Sequence, residues 1–143
     1  MRVGIAGTLV LAVVALACGD PVRPELSILT DKDVYVVPQP NGGPFVGVTV
    51  RNVSERVIVL AACGGTDVLP LRQRLRDGEW ADDPLATCAA AMRPKEFAPG
   101  DYLSLGHWNF FGATGTFRFR VPLYRDSLTV SYSHEVSPTF SVH

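Results

Sequence analysis

The sequence has few charged residues and almost no net charge. Asp, Glu, Lys and Arg make up 19% of its 143 residues, and 13 basic side chains stand against 14 acidic ones, for a formal net charge of −1. It contains no run of basic residues, whereas a protein that binds nucleic acid needs a concentrated positive surface to neutralise phosphates. We therefore predict no nucleic-acid partner.

The local sequence signatures of enzymes are also missing. The chain has no Gly-x-Ser-x-Gly elbow, no phosphate-binding loop and no His-Glu-x-x-His motif. Its three histidines, at 107, 134 and 143, share no ligand spacing, and the acidic pairs at 31/33 and 82/83 lack the other residues of a calcium loop. We predict no catalytic residue, no metal and no cofactor. A site assembled from distant strands stays open as an alternative, because catalytic triads form in space rather than in sequence order.

The N-terminus, by contrast, carries a clear signal. Met1 and Arg2 form a short basic start, and residues 3–17 are an uncharged, mainly apolar stretch of 15 residues that ends in small side chains. As a helix this stretch would be about 22 Å long, which is short of the ~30 Å hydrocarbon core of a bilayer. It therefore predicts an export signal rather than a permanent transmembrane helix.

A cysteine motif closes this stretch. Ala15-Leu16-Ala17-Cys18 resembles the lipobox of bacterial lipoproteins, in which the cysteine is acylated and becomes the new N-terminus. The resemblance implies a lipoprotein signal peptide over residues 1–17, a lipid on Cys18, and a tether over residues 18–24. It also implies attachment through this anchor to the membrane of a bacterial cell envelope, the outer membrane where two exist, because Gly19 rather than Asp follows the cysteine. In the alternative interpretation, Cys18 is an ordinary thiol near a conventional cleavage site, or part of a tail that stays disordered.

The other two cysteines predict a disulfide. Three cysteines in an exported chain leave one over after a single bridge, and a lipid on Cys18 removes the odd thiol. Cys63 and Cys88 lie 25 residues apart, around a hairpin predicted over residues 69–80. A redox or metal pair is the alternative, but no Cys-x-x-Cys and no nearby histidine supports it.

The remaining sequence, residues 25–143, has the pattern of an all-β domain. Residues 45–53, 69–76 and 115–121 alternate apolar and polar side chains, and turn residues separate such stretches. Because each alternating strand buries only one face, a second sheet must cover the first. We predict an immunoglobulin-like antiparallel β-sandwich of seven to nine strands, with a barrel as the alternative.

One predicted strand, over residues 69–76, has an unusual polar face. Three arginines, Arg72, Arg74 and Arg76, alternate with Leu71, Gln73 and Leu75, and an Asp77-Gly78 turn follows. We expect the arginine row to be a solvated strand face, with a patch for lipid headgroups as the alternative.

Three phrases of the predicted strands and turns carry a family resemblance. They are Val48-Thr49-Val50-Arg51-Asn52-Val53-Ser54, Phe97-Ala98-Pro99-Gly100-Asp101 and Gly115-Thr116-Phe117-Arg118-Phe119-Arg120-Val121. With these phrases the chain resembles bacterial Ig-like lipoprotein domains, including those of the intracellular proteinase-inhibitor family. The lipobox-like motif, the all-β pattern and the missing catalytic signatures together predict a lipid-anchored, exported, non-catalytic module that has a structural role or binds an unknown protein partner. The family resemblance implies the alternative function, protease inhibition through an exposed loop, over residues 38–44 or 108–115.

An aromatic segment over residues 106–115 supplies the candidate binding residues. Three aromatic side chains, Trp108, Phe110 and Phe111, lie among three glycines there. Aromatic residues on loops can form a contact surface, since they are enriched at binding hot spots. More often they cap the end of the core, and we favour this interpretation, with the contact surface as the alternative.

Overall fold

The computed structural model describes residues 23–37, 43–83, 88–110 and 112–143, and this part of the chain contains twelve β-strands and no helix. The strands are β1 (Leu26–Thr30), β2 (Val34–Tyr35), β3 (Phe45–Asn52), β4 (Ile58–Cys63), β5 (Asp67–Val68), β6 (Leu71–Arg76), β7 (Glu79–Asp82), β8 (Met92–Phe97), β9 (Tyr102–Asn109), β10 (Gly115–Leu123), β11 (Ser133–Val136) and β12 (Phe140–Val142). The all-β prediction is confirmed, and the strand count exceeds seven to nine because several strands have only two to four residues.

The strands form two layers. One layer is the sheet β1-β3-β9, and the other combines the sheet β2-β12-β10-β6-β7, with β11 beside β10, and the sheet β5-β4-β8. Val59 and Tyr124 exchange two backbone hydrogen bonds of 3.3 and 2.9 Å, which join β4 to the chain just after β10. This is the predicted β-sandwich. All strand pairs are antiparallel except β12 with β2, which run parallel.

The core lies between these layers and follows the alternation of the sequence. Val46, Val48 and Val50 of β3 are buried, as are Phe117 and Phe119 of β10. Four phenylalanine rings, two from β10 and two from elsewhere, form a cluster with centroid separations of 5.1 to 6.2 Å. Each such side chain stabilises the fold by about 1.5–3 kcal/mol when it leaves water.

The disulfide prediction is confirmed. Cys63, the last residue of β4, is bonded to Cys88, with Cα atoms 5.6 Å apart. The β6–β7 hairpin lies between them in sequence, and its Asp77-Gly78 turn has positive φ at both residues, as a tight hairpin turn requires.

The arginine row differs from the prediction. In the β6–β10 ladder, Arg72 lies opposite Phe119 and Arg74 opposite Phe117, so both arginines lie on the core side of the sheet. The Arg72 side chain is only 10% exposed, with its guanidinium 4.7 Å from the ring centroid of Phe110 and 2.8 Å from Asp83. The expectation of a solvated face is therefore wrong for Arg72. Alternation defines two faces of a strand but not which one is buried, and a paired arginine can cover aromatic rings.

Candidate functional site

Two strands that face each other across one flank of the sandwich each have an unpaired edge. Within the described residues, β9 pairs only with β3, and β5 pairs only with β4. Such edges present main-chain N–H and C=O groups that have no partner strand.

The hydrogen bonds at the start of β9 show which main-chain groups face the open edge. Asn52 donates to the carbonyl of Asp101 and accepts from Gly100, each at 3.0 Å, so the backbone of Asn52 faces β9. Along an antiparallel ladder, the main-chain N–H and C=O groups of successive residues point alternately towards and away from the partner strand. The main-chain groups of Val50 and of its partner Leu103 therefore also point towards each other. The N–H and C=O of the next residue, Ser104, therefore point away from β3 and towards the open edge.

A groove of about 450 Å³ lies between the two edges. Residues 66–69 line one wall, and residues 103–106 with Trp108 line the other. Leu103, Leu105 and Trp108 are half-buried and pack against the hydrophobic core, so the β9 wall has apolar side chains beside its exposed main chain. An extended polypeptide needs this combination, because its main chain pairs with a strand edge and its alternate side chains need apolar pockets.

A β-bulge shapes the β9 wall. Between the pairs Gly47 with His107 and Thr49 with Ser104, β9 has two residues, Leu105 and Gly106, where β3 has one. Gly106 has a φ of 78°, a conformation that favours glycine. The extra residue shifts the alternation by one position. As a result Trp108 and Phe110 turn towards the core.

The bulge decides the role of the predicted aromatic residues. Phe110 is 0% exposed, and its ring meets Phe117 and Phe140 edge-on at 5.1 and 5.5 Å. It therefore belongs to the core and not to an exposed contact loop. Trp108 lies partly against Phe119, at 6.4 Å, and lines the groove. Phe111 lies outside the described residues.

The β5 wall is held by the disulfide-bearing turn. Thr66 donates its N–H to the carbonyl of Cys63 at 3.3 Å, and its own carbonyl accepts from Lys95 Nζ at 3.0 Å. Gly64 donates to Ala91, in the segment that follows Cys88, at 3.1 Å. The disulfide and these hydrogen bonds fix the position of residues 66–69 relative to β4 and β8.

Sequence reasoning identified Trp108 but not the groove. The β9 wall depends on its pairing with β3, between residues 51 to 64 positions apart, and the β5 wall on a two-residue pairing with β4. Alternation alone reveals neither pairing. One local signal was present: a glycine inside an alternating strand, as at Gly106, is typical of a bulge.

The remaining predicted features have simpler outcomes. Cys18, the signal peptide and most of the tether lie outside the described residues, as do residues 38–42 of the first predicted inhibitory loop. In the described part of the chain, no group of three His, Cys, Asp or Glu side chains is placed to hold a metal ion. Nor does any helix in these residues have the length and apolar character needed to cross a bilayer.

Comparison of the sequence with protein-family models and with curated proteins found no match. The functional argument therefore rests on the residues and the geometry described above.

Proposed function

We propose that this chain is a lipid-anchored, exported, non-catalytic module of a bacterial cell envelope, and that it binds an extended segment of a partner protein. The groove between the open edges of β9 and β5 is the observation that carries the binding part of this proposal.

The groove suits the addition of a strand to β9. A segment that runs along this edge pairs with the N–H and C=O of Ser104 and places alternate side chains over Leu103, Leu105 and Trp108. Each main-chain hydrogen bond makes a net contribution of about 0.5–1.5 kcal/mol to the binding free energy, so a few such bonds with apolar contacts suffice for specific binding. The walls are preorganised by the bulge and by the disulfide, which lowers the entropy lost on association.

The sequence supports the anchor. The lipobox-like residues 15–18 follow an apolar segment, and acylation of Cys18 uses the thiol left over by the Cys63–Cys88 disulfide. Each buried methylene contributes about 0.8 kcal/mol, so the acyl chains of a lipoprotein exceed the two hydrophobic signals that stable anchoring needs.

A pair of substitutions at one position tests the groove. Ser104 is exposed and its N–H points to the open edge, so Ser104→Pro removes that donor without touching the β3 ladder. Ser104→Ala keeps the donor and removes only the hydroxyl. A peptide selected from a displayed library on the full-length protein is then titrated against both variants. We expect wild-type affinity for Ser104→Ala and a loss of about tenfold or more for Ser104→Pro, equivalent to one or two main-chain hydrogen bonds.

Retained affinity of the proline variant, with its melting temperature unchanged, would show that the selected peptide binds elsewhere. Failure to select any peptide that competes at this edge would remove the binding part of the proposal. The alternative function, protease inhibition through a loop, predicts instead an inhibitory activity that survives Ser104→Pro.

A further inference from the structure

Three loops meet where the described chain begins, at one end of the sandwich. The N–H of Glu25 donates to Glu135 Oε1 at 2.8 Å, and the carbonyl of Glu25 accepts from Val53 at 3.0 Å. The Asn52 and Asp101 hydrogen bond brings the loop before β9 to the same end, and the Val59–Tyr124 bridge brings the turn after β10. We call this region the tether end: residues 23–25, 53–57, 98–102 and 124–132.

The length of the preceding chain keeps the tether end close to whatever holds Cys18. Residues 19–25 are seven residues, and even a fully extended chain of that length spans at most about 25 Å. The sandwich is longer than this tether, because the nine residues of β10 alone extend about 30 Å. If Cys18 is anchored in a bilayer, the tether end is the end nearest to it.

The tether end also has the amino-acid composition of protein surfaces that lie at a membrane–water interface. Three of the four tyrosines of the chain lie here, Tyr102, Tyr124 and Tyr132. Exposed apolar side chains accompany them: Val53, Val57 and Val130 are 46, 52 and 77% exposed. Tyrosine favours the headgroup region because its ring is apolar and its hydroxyl is polar.

A hollow of about 220 Å³ lies at this end, lined by Arg56, Val57, Tyr124, Arg125 and Tyr132. The guanidinium groups of Arg56 and Arg125 lie 5.4 and 5.2 Å from the ring centroid of Tyr132. Arg56 is also paired with Glu25 at 2.6 Å, whereas Arg125 has no carboxylate within 4.0 Å among the described residues. Guanidinium donors match phosphate oxygens in geometry and charge, so the hollow presents donors for a headgroup phosphate.

The net charge of the tether end determines how it can be attracted to a membrane. Three arginines, including Arg23, are offset by four carboxylates, at positions 25, 55, 101 and 126. A surface without net positive charge gains little from the long-range potential of an anionic membrane. Contact must then come from valine and tyrosine side chains in the headgroup region and from arginine–phosphate hydrogen bonds.

We propose that the tether end rests on the phospholipid headgroup layer and fixes the orientation of the domain on the membrane. This inference depends on the proposed lipid anchor and extends it from attachment to orientation. The β6–β7 hairpin and the start of β3, at the opposite end, then point away from the membrane.

Photo-crosslinking of the full-length lipoprotein tests this orientation. Benzoylphenylalanine is placed at Val57 or Val130 of the tether end, and at Phe45 or Leu75 of the opposite end as matched controls that are also exposed and apolar. Each acylated protein is purified, reconstituted into vesicles of phosphatidylethanolamine and phosphatidylglycerol, and irradiated. Mass spectrometry then identifies and quantifies the crosslinked adducts. A melting temperature close to that of the wild type verifies that each variant is folded.

We expect phospholipid adducts at positions 57 and 130 to exceed those at positions 45 and 75 several-fold. Equal adducts at both ends, in a protein that is acylated and bound to the vesicles, would overturn the orientation while leaving the anchor intact. Adducts at 57 and 130 that consist of a second copy of the chain would show a protein contact instead, and would also overturn it. A chain that carries no acyl group and stays out of the vesicles would overturn both the anchor and the orientation.

Discussion

Arg72 lies at the boundary of the core, with its guanidinium over the rings of Phe110 and Phe117 and within 2.8 Å of Asp83. Burial lowers the pKa of Arg72, and the Asp83 carboxylate opposes this effect. The side chain therefore serves two roles: its stem and planar group cover aromatic surface, and its charge is matched by a carboxylate that is itself mostly buried.

Substitution of Arg72 separates these roles. Arg72→Ala uncovers the rings and leaves Asp83 unpaired, so we expect the free energy of unfolding to fall by about 3 kcal/mol. Arg72→Met combined with Asp83→Asn keeps the apolar cover and removes the unpaired charge, and it should lose less. Chemical denaturation of both variants measures the difference. Equal losses would contradict the cation–aromatic and ion-pair account.

Two carboxylates form hydrogen bonds at the two ends of β1, and the lowered pKa of each predicts that acid destabilises the fold. The hydrogen bond from Arg56 holds the pKa of Glu25 below its usual range despite partial burial. For Asp31, burial raises the pKa, but hydrogen bonds from the Tyr35 hydroxyl at 2.6 Å and the Gly47 N–H at 2.7 Å outweigh it and give a lowered pKa.

A lowered carboxyl pKa in the folded state means that the unfolded chain binds the proton more readily. The stabilisation is therefore complete above the ordinary carboxyl pKa, near pH 4, and is lost as the pH falls below it. We expect the melting temperature to decrease on acidification through this range, and to decrease less steeply in Asp31→Asn and Glu25→Gln. Variants whose acid slopes match the wild type would contradict these assignments. Glu55→Gln, at an exposed residue of the tether end to which Glu25 also belongs, is the control.

Individual strands differ in how well the sequence predicts them. In β3 and β10 the apolar residues alternate without interruption, so the buried faces through Val48 and Phe119 follow directly from the sequence. In β9 the extra residue at Gly106 interrupts the alternation, and a glycine followed by aromatics resembles a loop. For that reason Phe110 could be taken for a contact residue although its ring is in the core. The two-residue strands β2 and β5 are too short to leave a periodic pattern.

The disulfide contributes both to the stability of the fold and to the position of one wall of the groove. Replacement of both Cys63 and Cys88 by serine should lower the free energy of unfolding by about 3.5 kcal/mol, if the loss of chain entropy in the unfolded state dominates. It should also weaken peptide binding, because residues 66–69 lose the bridge that holds their wall. Thermal unfolding and peptide titration measure the two effects. Addition of a reductant to the wild type should reproduce them, and the double variant should be insensitive to it.

At the scale of the whole molecule, the two proposed surfaces share one strand. β9 begins at the tether end, with Tyr102, and runs along the groove to Asn109. A segment bound at its open edge would therefore run along the axis that leads from the membrane to the opposite end of the domain. The proposed binding groove and the tether end are different parts of the surface, so a partner bound in the groove would leave the tether end free to contact lipid.

The anchor is the central claim for the whole molecule, and Cys18 is the residue that carries it. The most direct measurement is the intact mass of the protein made in a bacterial host with its own leader, before and after alkylation under reducing conditions, alongside the Cys18→Ser variant. We predict a wild-type mass that begins at Cys18 and includes the acyl chains, with two further cysteines alkylated only after reduction. The serine variant should lack the lipid and leave the membrane fraction. A wild-type chain that retains its leader, or that is cleaved without acylation, would contradict the account.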